Sequence, residues 1–280
     1  MDFAFNASAL GVGGVIERGR VITTIPSLAS VALAPTGGEG KSVVSNYFSE
    51  ELKFSHAETR VYGRQFLDDG QPSFTTSTNV VMKDVRIFDK LHIEGMGSTV
   101  TSTRGFDGGD DHDFELLLWY RGVRIGRREI TPRIDVRLIR LRRYDELLRV
   151  LKENRSAAVD ADAFSQRFNA SPDQLSKLVS ERKPVQGSLV ESIEGYGPKP
   201  VPAKIFVPGL GTVRFGELML KPGRRRLNLL RINFGAPQVD FEMPNTLMME
   251  EPMGDEFGTG LTGGSMTLGS GEGNGIPIGP

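Results

Sequence analysis

The sequence predicts a mainly β protein: an antiparallel β-sandwich-like domain with a small helical insertion and a disordered C-terminal tail. Runs rich in Val, Ile, Thr, Ser and Phe, separated by Gly and Pro, fill residues 1–140, and such spacing is typical of antiparallel strands. The apolar spacing becomes helical over about 143–183. Residues 236–280 have no Lys or Arg and many Gly, a composition that cannot offset the entropy of ordering.

These features predict one folded unit and one appendage. Residues 1–235 form the β-rich domain, and 236–280 form an acidic, Gly-rich flexible tail. A domain of this length can bury a full core without metals or disulfides. The formal net charge of −1 for the whole chain therefore combines a basic body with an acidic tail.

Strand-like runs follow one another through the N-terminal half. Val21–Ile25 should end at Pro26, and the run 27–34 should end at Pro35. Further strands are predicted, with turn residues between them, at 42–48, 52–66, 73–88 and 91–103.

The strands of the middle region show two patterns. Phe114–Tyr120 is apolar at both parities, which predicts burial on both faces. In the predicted strand 130–142 the apolar parity reverses at Leu138-Ile139, and the same reversal occurs at Leu229-Leu230. One extra residue in a β-bulge would explain each reversal, because it exchanges the two faces.

The helical insertion is predicted from apolar residues spaced by three and four, namely Tyr144, Leu147, Leu148 and Leu151. Asp160 could cap a short helix that holds Phe164 and Phe168. Ser171-Pro172-Asp173-Gln174 is a helix start with a capping box. Strands are predicted to resume at 187–194, 203–208, 212–220 and 225–234.

Three stretches carry a resemblance to known proteins: Ala4–Gly14, Ser30–Gly38, and Pro208-Gly209-Leu210-Gly211 continuing to Arg231. Together they resemble a group of uncharacterised bacterial β-rich proteins, over most of residues 1–235. That group has no established activity. The resemblance implies a β-rich fold and a bacterial setting, and it implies no mechanism.

A glycine-rich segment, Pro35–Ser42, resembles the second half of a phosphate-binding loop through Gly40-Lys41-Ser42. A complete loop needs a Gly where Pro35 stands. Pro35 offers no N–H group and cannot adopt a positive φ. The residues that follow favour a strand over a helix, so the segment is interpreted as a glycine-rich hairpin turn.

A cluster of carboxylates is a candidate metal site. It comprises Asp107, Asp110, Asp111 and Asp113. Ca²⁺ prefers several oxygen ligands from one loop, although the spacing here is not that of an EF-hand. The alternative is a solvated acidic turn. No cofactor other than Ca²⁺ is indicated by the sequence.

A basic region is the second candidate site. Its members are proposed to bind a polyanion or the acidic tail, and they are Arg121, Arg124, Arg127, Arg128, Arg137, Arg140, Arg142, Arg224, Arg225 and Arg226. Arginine favours bidentate contacts with phosphate or carboxylate. The alternative is a solvated sheet face. Few aromatic residues lie among these arginines, so sequence-specific nucleic-acid binding is not indicated.

The tail supplies candidate docking residues: Phe241, Leu247, Met248 and Met249. Apolar residues among acids are typical of short segments that order on binding, so Val239–Met253 is predicted to dock on this body or on another subunit as an added strand or helix. The alternative is an inert solubilising tail.

An enzyme is the less favoured interpretation. The chain has no Cys, its three His are scattered, and no Gly-x-Ser-x-Gly elbow is present. Glu58, Asp84, Glu94 and Glu115 could serve a carboxylate-based hydrolase only if the fold paired them.

The preferred function is therefore a non-enzymatic structural or protein-interaction module that self-associates or binds a protein partner. The alternative is a carbohydrate- or polyanion-binding module, in which Trp119 would contact a glycan. No secretory signal and no apolar run of about 18 residues is visible, so we expect no membrane span and a cytoplasmic location, with non-classical export left open.

Overall fold

In this computed structural model the described residues are 2–105, 113–147, 149–150, 167–168, 170–235 and 261–278. The strands of the N-terminal half are β1 (Asp2–Arg18), β2 (Val21–Ala32), β3 (Gly38–Phe48), β4 (Leu52–Asp68), β5 (Gln71–Ile87), β6 (Leu91–Gly105), β7 (Asp113–Ile125) and β8 (Arg128–Ile134). Two helices follow, α1 (Val136–Ile139) and α2 (Pro172–Ser180). The remaining strands are β9 (Val185–Ser188), β10 (Val190–Glu194), β11 (Lys204–Val207), β12 (Gly211–Lys221), β13 (Arg224–Phe234) and β14 (Gly263–Ile278).

The strands form two antiparallel sheets, which confirms the predicted fold class. The first sheet has the order β11-β12-β13-β14-β1-β2, and β9 also pairs with β12. The second sheet has the order β10-β8-β7-β6-β5-β4-β3. Strands β1 and β14 of the first sheet pack against β5 of the second, and one apolar core lies between the sheets.

The helical region extends the core at one end of the sandwich. Helix α2 begins with the predicted capping box: the Ser171 hydroxyl accepts from the Gln174 N–H at 3.2 Å, and the Gln174 side chain accepts from the Ser171 N–H at 2.8 Å. Leu175 and Val179 are buried. Residues 146–147, 149–150 and 167–168 are also helical, so the predicted insertion is confirmed where it is described; Asp160 and Phe164 lie outside the described residues.

The buried face reverses along the strands of the first sheet at aligned positions. These positions are Gly216 in β12, Leu229 in β13, Gly269 in β14, Gly11 in β1 and Ala29 in β2. Gly216, Gly269 and Ala29, in alternate strands, have φ of 58°, 61° and 48°. Pairing keeps one register on both sides of Leu229. The predicted reversal is therefore present, but the predicted extra residue is wrong.

The second sheet has the same construction. Its aligned positions are Asn46 in β3, Ser55 in β4, Asp84 in β5, Glu94 in β6 and Gly122 in β7. Asn46, Asp84 and Gly122, again in alternate strands, have φ of 54°, 50° and 58°. In each sheet the side chains therefore change direction together across five adjacent strands and not in one strand alone.

The predicted strand 130–142 is wrong in its second half. Strand β8 ends at Ile134, and the Asp135 carboxylate accepts the N–H of Arg137 at 2.9 Å to begin α1. A side chain that caps a helix start satisfies backbone donors that a strand would pair with a neighbour. The reversal of apolar parity at Leu138-Ile139 therefore reflects a helical turn and not a bulge.

Other strand predictions need correction. Strand β2 continues through Pro26, which an edge strand tolerates because its outer N–H needs no partner. The predicted strand 187–194 is two strands, β9 and β10, in different sheets. Leu117 is 52% exposed, so β7 is not buried on both faces. The strand β1 was not predicted.

The predicted tail also needs correction over residues 263–278, which form β14 in the interior of the first sheet between β13 and β1. Composition failed as a guide because β14 gains order from backbone pairing on both sides, which needs few large side chains. Residues 236–260 lie outside the described residues.

Candidate interaction surface

One side of the sandwich is formed by two edge strands, β2 of the first sheet and β3 of the second, and we call it the β2–β3 side. The two strands pack closely. A Cβ on Gly40 would lie 2.8 Å from Cγ2 of Val31, and the Thr59 hydroxyl of β4 donates to the Ala29 carbonyl at 2.9 Å. The two sheets therefore end at the same side of the molecule.

The β2–β3 side combines an open backbone with exposed apolar side chains. In the described part of the chain, no strand pairs with the outer edge of β3. Val21 and Ile22 of β2 are 62% and 67% exposed, and Val43 and Phe48 of β3 are 44% and 78% exposed. Open edges with exposed apolar residues are the usual template for pairing with another chain.

A charged cluster holds β3 on β4. Lys41 Nζ lies 3.1 Å from Glu58 Oε2, Arg60 Nε lies 2.6 Å from Glu58 Oε1, and His56 Nε2 lies 3.6 Å from Glu58 Oε2. Burial opposes ionisation of Glu58, but hydrogen bonds from Lys41 and Arg60 outweigh it and lower the pKa of the carboxyl below its usual value. Lys41 lies in the extended strand β3, opposite Arg60 of β4, and not in a loop that wraps a phosphate. The predicted hairpin turn at Pro35–Ser42 is wrong, because the strands it joins, β2 and β3, belong to different sheets. The turn itself ends at Gly37, whose N–H donates to the Ala34 carbonyl.

Three charged side chains connect the hairpin β1–β2 to the turn between β3 and β4. Arg18 lies 3.2 Å from Glu50 and 3.3 Å from Glu51, and its guanidinium lies 5.4 Å from the centre of the Phe88 ring. These contacts bring the β1–β2 turn, and with it Val21, to the end of the sandwich where Phe48 lies.

The arginines of the predicted basic region lie on strands of both sheets, on α1 and in the segments next to them. Arg121 and Arg124 lie 3.9 and 3.1 Å from Glu94. Arg224 and Arg226 lie 2.5 and 3.3 Å from Glu272 of β14. One acidic residue of the C-terminal region, Glu272, therefore contacts two arginines of the predicted basic region.

The other arginines of this set have different surroundings. Arg137 contacts Asp135 and Glu191, Arg142 contacts Glu115, and Arg128 donates to the Tyr196 carbonyl. Arg225 is buried, with its guanidinium 4.7 Å from the centre of the Phe114 ring and a hydrogen bond to Ser102. Arg127 and Arg140 are exposed.

Asp113 is the one described member of the predicted metal cluster, and it lies 2.8 Å from Arg143 Nε. Asp107, Asp110 and Asp111 lie outside the described residues, as do Phe241, Leu247, Met248 and Met249 of the predicted docking segment. In the described ranges, no three His, Asp or Glu side chains are placed to share a metal ion. The Ca²⁺ site stays a prediction.

The carboxylates suggested for a hydrolase are paired with bases. Glu58, Glu94 and Glu115 contact the Lys and Arg side chains named above, and Asp84 Oδ1 lies 2.9 Å from His92 Nε2. Hydrogen bonding to His92 lowers the pKa of the Asp84 carboxyl. Each of these four carboxylates therefore has a basic side chain as its contact partner.

The outer face of the second sheet carries a neutral polar surface beside Trp119. A Cβ on Gly97 would lie 2.6 Å from the indole Nε1, and one on Gly95 would lie 3.1 Å from Cζ3, so the ring lies against these glycines. Three cross-strand hydrogen bonds of 2.9–3.0 Å continue along β5 and β6 from this position. Asn79–Thr99 is the nearest to Trp119, and Ser77–Thr101 and Thr75–Thr103 lie progressively farther away. Such a face offers ring stacking together with hydroxyl and amide groups.

Comparison with known families shows to which family this β-sandwich belongs. A family described as a domain of unknown function, DUF8256, matches residues 3–221. The chain belongs to this family. The DUF8256 match extends from β1 to the end of β12. No curated protein and no solved structure matches the chain. Within the described residues, no helix is long and apolar enough to cross a membrane.

The sequence interpretation did not find Val21, Ile22, Val43 and Phe48 as surface residues. Each occurs in a run with the apolar content of an ordinary strand. Which strands lie at the edges depends on the order of strands in the sheets, and the alternation within one strand does not encode that order. Pro26 was the one local signal, because Pro in a strand marks an edge.

Proposed function

We propose that this DUF8256 protein is a non-enzymatic interaction module that self-associates through the β2–β3 side. The observation that carries the proposal is that the outer edges of β2 and β3, which no other described strand pairs with, coincide with the exposed side chains of Val21, Ile22, Val43 and Phe48. Addition of a strand to an exposed edge supplies backbone hydrogen bonds, and the alternate side chains supply specificity. Strand β3 has 11 residues, which is enough for such a pairing, since strands typically have about 5–6 residues.

A second copy of the chain is the preferred partner of the β2–β3 side, because the β3 edge of one molecule can pair with the β3 edge of another. An antiparallel pair of two β3 strands is symmetric, and symmetric dimers use the same patch on both subunits. Cytoplasmic location and the identity of any protein partner stay predictions from the sequence.

Light scattering over a range of protein concentrations tests the proposal. We expect the wild type to form dimers or larger assemblies and Val43→Lys/Phe48→Lys to be monomeric, because Lys at an edge opposes pairing. The matched control is Leu117→Lys/Val136→Lys, which changes two exposed apolar residues outside β2 and β3 and should leave assembly intact. A wild type that is monomeric at every concentration would sink the proposal.

Carbohydrate binding is the second candidate function, supported by the position of Trp119 against Gly95 and Gly97 beside the neutral polar pairs. A pyranose ring could stack on the indole while its hydroxyl groups reach Thr99 and Asn79. Binding to a glycan array should depend on Trp119 and survive Leu117→Ala on the same strand. Array signals that are equal in the wild type and Trp119→Ala would refute this function.

A further inference from the structure

Strand β14 fills an interior position of the first sheet. It pairs with β1 from Asp2 to Glu17 and with β13 from Arg225 to Asn233. If β14 left this position, the facing edges of β1 and β13 would both lose their backbone partners. Two unpaired edges separated by the width of one strand form a groove that accepts an extended segment.

The connection that leads to β14 is far longer than its geometry requires. Strand β13 ends at Phe234 and β14 begins at Gly263, so residues 235 to 262 separate them. The two ends are adjacent, because a Cβ on Gly235 would lie 2.9 Å from the Thr262 carbonyl oxygen. Hairpin loops usually have about 2–5 residues. A chain of this length can span about 90 Å when extended, which is enough to reach a neighbouring molecule.

The other hairpins of the first sheet have short connections. Strands β1 and β2 are joined by Gly19 and Arg20, and β12 and β13 by Pro222 and Gly223. A two-residue turn keeps its strands together in one molecule. The pairing of β14 with β13, the strand before it in the sequence, is not enforced by a tight turn. Among the described strands of this sheet that pair with a sequence neighbour, β14 is alone in this respect.

The groove is shaped for β14 itself. A Cβ on Gly264 would lie 2.2 Å from the Val15 carbonyl oxygen, one on Gly269 would lie 2.1 Å from Leu229 Cδ1, and one on Gly271 would lie 2.6 Å from Thr78 Oγ1. Met266 and Leu268 are fully buried in the core. A segment with this order of Gly and apolar residues is required, so the fitting occupants are β14 of the same chain and β14 of a second copy.

We propose that β14 is exchanged between copies of this protein, so that each molecule completes the first sheet of its neighbour. The contacts of β14 are the same whether it enters its own sheet or that of a second copy. The ratio of monomer to strand-exchanged assembly therefore depends on the connection between β13 and β14 and on protein concentration. This exchange does not use the β2–β3 side, and it can fail while the proposed edge association stands.

The absence of cysteine from the chain gives a direct test. Val15 of β1 pairs with Ser265 of β14 on one side and with Thr24 of β2 on the other. Cα atoms of such pairs lie about 4.5–5.5 Å apart, which suits a disulfide. Purified Val15→Cys and Ser265→Cys proteins are unfolded together, refolded as full-length chains and oxidised. The control mixture is Val15→Cys with Thr24→Cys.

We expect a disulfide-linked dimer of unlike chains in the first mixture and none in the control, because the β1–β2 turn prevents exchange of β2. If Val15→Cys fails to fold, Asn233→Cys replaces it, since Asn233 of β13 also pairs with Ser265. No mixed dimer in the first mixture, together with a disulfide closed within one chain in Val15→Cys/Ser265→Cys, would overturn the exchange. Equal mixed dimers in both mixtures would overturn it too, because they would reflect contact outside the groove.

Discussion

Replacement of Asp135 by Ala should destabilise the protein strongly. The carboxylate is 2% exposed and accepts hydrogen bonds from the Arg137 N–H at 2.9 Å, from Arg137 Nε at 3.0 Å and from Arg167 Nη2 at 2.8 Å. Arg167 has a side chain that is 3% exposed, so the variant leaves its positive charge buried without this partner. Removal of one partner of a buried ion pair costs about 3–5 kcal/mol.

Denaturant titration followed by circular dichroism measures this loss as a lower free energy of unfolding. Glu191→Gln is the matched control. Glu191 contacts Arg137 at 3.1 Å, but both side chains are 47% exposed, and surface pairs contribute about 0–1 kcal/mol. A loss below about 1 kcal/mol for Asp135→Ala would refute the argument that the buried pair holds α1 and residue 167 on the sandwich.

The same group makes a prediction about pH. Burial opposes ionisation of Asp135, but hydrogen bonds from Arg137 and the charge of Arg167 outweigh it and hold the pKa below its usual value. A carboxyl with a depressed pKa in the folded state stabilises the fold above the unfolded pKa of about 3.9, and that contribution is lost as the pH falls through the folded pKa. Wild-type stability should therefore fall more steeply below pH ~4 than that of Asp135→Asn.

Three further measurements test the fold. Gly269→Ala should lower the free energy of unfolding by about 2–4 kcal/mol, because the new Cβ would lie 2.1 Å from Leu229 Cδ1. The control, Gly19→Ala, has nearly the same φ but lies in open space, so it should cost only about 1–2 kcal/mol. Equal losses in the two variants would contradict the packing argument. Burial raises the pKa of Tyr120, so in an ultraviolet pH titration its phenol should stay protonated until alkaline unfolding of the protein. Ser171→Ala should remove about 1 kcal/mol by loss of the helix cap, and an unchanged denaturation midpoint would count against it.

Local patterns in the sequence were sufficient where a short segment specifies its own structure. The capping box at Ser171 predicted the start of α2 because all of its partners lie within four residues. The reversal of faces at Leu229 was visible in the apolar parity, but its cause was not. That cause lies in the left-handed backbone of Gly216 and Gly269, in the neighbouring strands.

The failures had a common physical basis in contacts between residues far apart in sequence. Asp135 begins a helix while its carboxylate binds Arg167, 32 residues away, and apolar spacing around 130–142 carries no sign of that contact. The Gly-rich region after residue 262 was assigned to a tail because composition counts the side chains of one segment alone. Strand β14 is instead ordered by backbone pairing with two distant strands.

By itself the sequence determined the class of fold, because strand-forming residues and the Gly and Pro residues between them act within a few positions. It also excluded cysteine chemistry, since the chain has no Cys. The tertiary structure decided which strands lie at the edges, that β14 completes the first sheet, and that most of the predicted arginines face carboxylates. Those features depend on the order in which strands pair, and pairing joins residues whose separation along the chain reaches more than 200 positions, as between β1 and β14.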